Sequence, residues 1–328
     1  MSANSQGGQQ QLRALNEILK WSTKLTQVDP TESTASCSLS ESELLQKREQ
    51  MKQNMEILNS LFIDEYKYIE ELRQTLISSS ASTEDKVSAL TTVEEFMQDR
   101  NYSINIHKTK LLEILVDFAA DSTQDTRIRE LSLWALASAV QDEPQVKSIV
   151  VQEGNGLELF VKCLSDAEHQ IRNKAVLGVS ALLKNSGNEY TDQFVRHGGV
   201  KKLVQCADDP DERVAGKVLF FMSIALVTQC KWVLECAVDE GLVGVLVDQV
   251  RVCSKNGAEE LSVGNMESRV RVLKAVASFE SGRAALKRES AIERLLELVQ
   301  MLEAEQHDQE LVDEIHAIVK GLQMVLKH

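Results

Sequence analysis

One segment recurs along this chain at a fixed interval. Ile128-Arg129-Glu130-Leu131-Ser132-Leu133-Trp134-Ala135-Leu136 is followed by Ile171-Arg172-Asn173-Lys174-Ala175-Val176-Leu177-Gly178-Val179, then by Val214-Ala215-Gly216-Lys217-Val218-Leu219-Phe220-Phe221-Met222. The interval is 43 residues both times. A period of roughly 20–50 residues marks stacked repeat units, each unable to bury its apolar face alone. Such an array offers an extended surface for holding another macromolecule rather than a closed pocket for chemistry.

The second half of each period repeats as well. Gly156-Leu157-Glu158-Leu159-Phe160-Val161 matches Gly199-Val200-Lys201-Lys202-Leu203-Val204 and Gly241-Leu242-Val243-Gly244-Val245-Leu246. A short apolar helix is expected before each glycine, as in Val146-Lys147-Ser148-Ile149-Val150-Val151. Each unit therefore reads as long helix, short helix, glycine turn, helix. Three helices per unit is the armadillo-like pattern, whereas HEAT units have two. The expected fold class is all-α: an armadillo-like solenoid with an N-terminal helical extension. Weaker units are expected around Val87 to Val93 and Val270 to Val276. From Val214 to Val270 is 56 residues, which places an insertion over Cys253 to Asn265, with Gly257 and Gly264.

The expected division is a flexible segment with a short amphipathic helix over 1–40, a helical cap over 41–81, the repeat array over 82–306 and a capping helix over 307–328. The first amphipathic helix is Leu12 to Ser22, and a Ser/Thr-rich linker with Pro30 follows it. Leu44, Leu45, Met51, Met55, Leu58 and Phe62 would be the apolar side of a charged helix over 41–77. The N-terminal helix can be read as a cap docked on the array, or as a peptide that docks on a partner through its Leu/Trp face.

Composition fits a helical array: 43% of the 328 residues are hydrophobic, 5% aromatic, and only 3 are proline. The formal charge of −14 argues against a phosphate backbone as ligand and against anionic membranes. No nucleic acid and no membrane partner is therefore expected. An acidic surface suits solubility and a partner with basic patches, although net charge identifies neither fold nor partner. The start, Met1 to Gln11, lacks the apolar core of a signal peptide. The longest apolar run, Val218 to Val227, is about half a membrane span. The six cysteines form no Cys-x-x-Cys pair and are expected as reduced, mostly buried thiols, which points to the cytoplasm.

No catalytic constellation emerges, and no enzyme activity, metal or cofactor is expected. Gly154-Asn155-Gly156 lacks the third glycine of a dinucleotide fingerprint, and no phosphate-binding Gly-Lys-Ser/Thr loop exists. The histidines at 107, 169, 197, 307, 316 and 328 form no zinc spacing.

In an armadillo array the longest helix of each unit lines the concave face. Residues four apart share a face, which gives the rows Glu130, Trp134, Ser138; Asn173, Leu177, Ala181; and Gly216, Phe220, Ile224. Armadillo nuclear-import adaptors carry Trp and Asn four apart in successive repeats. Here Ser138, Leu177/Ala181 and Phe220/Ile224 replace that ladder.

The chain resembles a different family, the cytosolic armadillo-type nucleotide exchange factors of the heat shock protein 70 (Hsp70) chaperones, the Hsp70-binding-protein family. Ile171-Arg172-Asn173-Lys174-Ala175, with Ser180-Ala181-Leu182-Leu183-Lys184, follows the family pattern of aliphatic, Arg, any, Lys, Ala, then Ser, Leu and a final base. Lys217-Val218-Leu219-Phe220-Phe221-Met222 resembles the next repeat, and Ile128-Arg129 with Val140-Gln141-Asp142-Glu143-Pro144 resembles the first. Leu15 and Ile18-Leu19-Lys20-Trp21-Ser22 resemble the family's leading segment. Asp142, Glu143 and Ile224 depart from it, each standing where the family has Asn.

The resemblance implies that the concave face embraces one lobe of the Hsp70 ATPase domain, favours its open nucleotide cleft and so promotes ADP release. Candidate contacts are Glu130, Trp134, Gln141, Asn173, Lys184, Lys217, Phe220 and Phe221, with Trp134 and the Phe pair as aromatic anchors. Phe220 and Phe221 can equally be read as solenoid core, and Arg172 and Lys174 as inter-repeat ion pairs. The chain is expected to be monomeric. The alternative is a generic armadillo scaffold that binds a protein or an extended peptide.

Overall fold

The computed structural model describes residues 42, 49, 52–53, 67–141, 143–185, 187–226, 230–256, 263–304 and 309–326. The helix expected over 12–22 and most of the one expected over 41–77 lie outside them. The chain divides into two units, Met1–Ile69 and Glu70–His328. Only scattered residues of the first are described, whereas the second carries the helical array.

Among the described residues every regular element is helical. After a helical stretch over 70–77 come α1 (Thr83–Met97), a single turn α2 (Arg100–Ser103), α3 (Leu111–Ala120) and α4 (Thr126–Ala139). The pattern then repeats as α5 (Pro144–Gln152), α6 (Gly156–Cys163) and α7 (His169–Leu183), and as α8 (Asn188–Arg196), α9 (Gly199–Ala207) and α10 (Glu212–Phe221). It continues with α11 (Lys231–Asp239), α12 (Leu242–Asn256) and α13 (Val263–Val276), then α14 (Glu280–Arg288), α15 (Ala291–Ala304) and α16 (Gln309–Leu326). The long helices α1, α4, α7, α10, α13 and α16 pack successively against one another. The weaker units expected at 87 and 270 are therefore present as α1 and α13.

Three of the long helices, α1, α4 and α10, start at a side-chain cap. Asp125 accepts from the N–H of Arg127, and Asp211 from those of Arg213 and Val214. Ser82 and Asp85 form a reciprocal capping box at α1. Behind each cap the same aliphatic position, Ile128, Ile171 and Val214, is buried in the core. Part of the insertion is a longer helix: residues 253–256 continue α12 and 263–265 belong to α13.

The repeat register of the turns differs from the glycine alignment expected from sequence. The residue just before the second short helix is left-handed in every unit: Lys110 (φ 57°), Asn155 (φ 48°), Gly198 (φ 71°), Gly241 (φ 90°) and Ser290 (φ 53°). Gly241 is thus the partner of Gly198 and Asn155, and Leu242 the partner of Gly199 and Gly156. Gly156 and Gly199 are kept small by packing, not by backbone angle. A Cβ on them would meet Val150 Cγ1 at 2.4 Å and Phe194 Cε2 at 2.2 Å.

The seams between units carry a repeated ion pair. Arg129 reaches Asp166, and one unit later Arg172 reaches Asp209 with Nε–Oδ2 2.6 Å and Nη2–Oδ1 2.8 Å. Both pairs are largely buried. Removing one member strands its partner, so Arg172→Ala is expected to cost about 3 kcal/mol, read as a lower urea midpoint at unchanged m-value. The third unit has Ala215 at the arginine position. There Gln249 bridges instead, donating to the Ala207 carbonyl (2.9 Å) and Asp208 (2.7 Å) and accepting from Arg269 (2.7 Å).

Candidate protein-docking groove

The long helices leave a groove of about 670 Å³ between the end of α4, α7 and α10. Its floor is apolar: Val176, Leu177 and Ala181 from α7, Phe220 and Phe221 from α10, and Ile224. Gln141, Ser180, Lys184 and Lys217 stand among them. Gly216 lets α13 approach α10 closely, because a Cβ there would lie 2.4 Å from Asn265 Oδ1.

The two phenylalanines differ sharply. Phe221 is 5% exposed and belongs to the core, touching only the groove floor. Phe220 is 62% exposed and Ile224 45%. These two large apolar side chains share one groove, whereas the other exposed ones among the described residues, Tyr68, Ile77, Met324 and Val325, lie outside it. Isolated exposed hydrophobic residues are ordinary, whereas adjacent ones rimmed by polar groups mark a contact surface.

Helical spacing accounts for their pairing, since residues four apart share a face. Beyond Phe221 the helix continues as a π-helical turn, Met222–Leu226. Such turns are rare and are frequently found at functional sites. Within it Ile224 is exposed while Met222 is fully buried.

A polar cluster extends the groove toward α4. The Lys174 ammonium sits 3.3 Å from the Trp134 ring centroid and 3.7 Å from Glu130 Oε1. Lys217 donates to Asn173 Oδ1. Burial holds the pKa of both lysines below the ordinary value, and for Lys217 the nearby charge of Lys174 adds to this.

The eight candidates thus fall in two touching groups. Gln141, Lys184, Lys217, Phe220 and Phe221 line the groove, and Glu130, Trp134 and Asn173 surround Lys174 and Lys217. Lys174 organises the second group, and sequence reasoning read it only as an ion-pair residue; its recurrence with Lys217 at the same repeat position was the available signal. Ser138, placed on the concave row, is buried instead and donates to Glu94 Oε1 of α1 (2.7 Å). Glu143, which departs from the family pattern, pairs with Arg100 at 2.6 Å.

Among the described residues no cluster of His, Cys, Asp or Glu could hold a metal, and no helix is long and apolar enough to cross a membrane.

The fold defines an all-helical armadillo-repeat protein with an open apolar groove on its long-helix face. The designed armadillo repeat protein YIII(Dq)4CqI superposes with a TM-score of 0.59 at 17% identity, over 77% of this chain and 99% of that one. No protein-family model matches the chain. The Hsp70 nucleotide exchange factor FES1 of Saccharomyces cerevisiae is 24% identical over 222 residues, covering 66% of this chain and 72% of that protein. The nucleotide exchange factor SIL1 of Xenopus laevis is 30% identical over 127 residues, 38% of this chain and 27% of that protein. The chain is an armadillo-type protein similar to Hsp70 nucleotide exchange factors.

Proposed function

We propose that this protein is a nucleotide exchange factor for Hsp70 and that it binds the chaperone's ATPase domain through the Phe220 groove and the Lys174 cluster. The observation that carries the reading is the coincidence of two things. The relatives are exchange factors, and the apolar side chains Phe220 and Ile224 stand open on the face of the array that such a partner would meet.

The mechanism needs differential affinity, not bond chemistry. A protein that binds the open ATPase cleft more tightly than the closed one shifts the population toward the open form. ADP then leaves faster, and by linkage ADP weakens the complex to the same degree. The chain acts as a monomer in this reading, with no enzyme activity and no cofactor of its own.

The cytoplasm is the compartment that fits. Cys163, Cys206, Cys230 and Cys236 are free thiols. Burial pushes Cys163 up to about 11 and Cys206 up to about 12, which leaves them unreactive packing residues.

The test is stopped-flow release of fluorescent ADP from a cytosolic Hsp70, with and without this protein. Acceleration that saturates with protein concentration is expected. Unchanged release together with no binding, across cytosolic Hsp70s, would leave the alternative of a peptide- or protein-binding armadillo scaffold.

A further inference from the structure

The middle of the array is locally basic in a chain that is acidic as a whole. The whole chain has 36 basic and 50 acidic residues. Along α4, α7, α10 and α13, however, nine basic side chains stand against three acidic ones, Glu130, Glu212 and Glu267. Arg127, Arg129, Arg172, Arg213 and Arg271 are paired with carboxylates of other segments, so the basic groups that count are the lysines beside the two hollows.

The basic side chains sit beside the apolar openings. Lys184 and Lys217 belong to the Phe220 groove. A second hollow of about 360 Å³ has Ser223, Leu234, Ala275 and Phe279 in its wall, with Lys231, Arg271 and Lys274 beside them. Arg271 is engaged by Glu314 and Glu267. Lys217, by contrast, donates to the neutral amide oxygen of Asn173, which does not cancel its charge.

We propose that the occupant of this face is a protein segment or ridge that sets apolar side chains between carboxylates. Its apolar groups seat on Phe220, Ile224 and Leu177, and its carboxylates pair with Lys217 and Lys274. Net charge alone points the other way, toward a basic partner. A basic segment would bring like charges together at both hollows, a costly arrangement at any interface. The inference deepens the exchange-factor reading, whose partner surface it describes, and is tested separately from it.

Two synthetic peptides are compared that share leucine and phenylalanine positions and differ only in carrying glutamate or lysine between them. Binding to the full-length protein is followed by fluorescence anisotropy at low salt. The glutamate peptide is expected to bind at least about tenfold more tightly, with the preference abolished or reversed in a Lys217→Glu, Lys274→Glu variant. Circular dichroism and thermal unfolding of that variant check that it folds, and Lys217→Gln, Lys274→Gln serves as a milder second variant. Equal binding of the two peptides, preference for the lysine peptide, or binding of neither overturns the inference. ADP release decides the other question independently. Acidic-peptide preference without faster ADP release would remove the chaperone assignment and leave the inference standing. Faster ADP release that survives both charge variants would do the reverse.

Discussion

Replacing Phe220 with alanine is expected to remove most of the acceleration of ADP release while leaving the melting temperature within about 1 °C of the parent. The two halves follow from one fact, the exposure of 62% of this side chain. Because the ring is already in water, its loss opens no cavity, and exposed substitutions stay within about 0.5 kcal/mol. Against a partner the same ring would be buried centrally, flanked by Ile224 and Leu177. Aromatic anchors of that kind cost about 2 kcal/mol or more when truncated, a loss of roughly thirtyfold in affinity. Phe221→Ala next to it should show the inverse pattern. It is 5% exposed, so truncation should lower stability by about 3 kcal/mol. If the two variants behaved alike, the groove would not be the docking surface.

Gly178→Ala is expected to lose stability although it adds a single methyl group. Gly178 lies in the middle of α7, where alanine would ordinarily be the better helix former by about 1 kcal/mol. Here a Cβ would fall 2.1 Å from Cε1 of Phe160 and 2.4 Å from its Cδ1. Phe160 is fully buried on α6 and cannot swing into solvent. The ring must shift, pushing α6 from α7, at a cost of about 1–3 kcal/mol. That outweighs the helical gain, so a net drop in the urea midpoint is expected. A rise in the midpoint would show that the α6–α7 contact gives way without cost. Phe160→Leu should relieve the defect in the double variant, a non-additivity that a simple propensity effect would not show.

The long helices were legible in the sequence because two independent signals coincide at one spacing. An aliphatic residue buries the helix start at 128, 171 and 214, and an arginine follows it at 129 and 172 to reach an aspartate of the next unit. The turn register was less legible. Gly154 and Gly156 flank Asn155, and Gly198 abuts Gly199, so matching glycine to glycine hides which residue needs the left-handed backbone and which needs the missing side chain. Asparagine, lysine and serine serve at the first kind of position, which identity alone does not reveal. The exposed and the buried phenylalanine are adjacent residues of one type, so composition does not say which of them faces the core. The lysines beside the two hollows were hidden for a simpler reason: a net charge averages over faces that never meet the same partner.

The seam between α10 and α13 has a consequence for how the molecule comes apart. A linear array unfolds as one only while each neighbour-to-neighbour coupling exceeds the instability of the separate pieces. Two successive seams are tied by direct Arg–Asp pairs, and at the next Gln249 stands between Asp208 and Arg269, so each charge meets a neutral amide in place of its opposite. Cooperativity should therefore break there first, so that calorimetry resolves two overlapping transitions instead of one. The Phe220 groove lies on the N-terminal side of that break, with the hollow at Phe279 astride it. A partner seated in both would act as a clamp across the weakest joint, and binding should merge the two transitions into one.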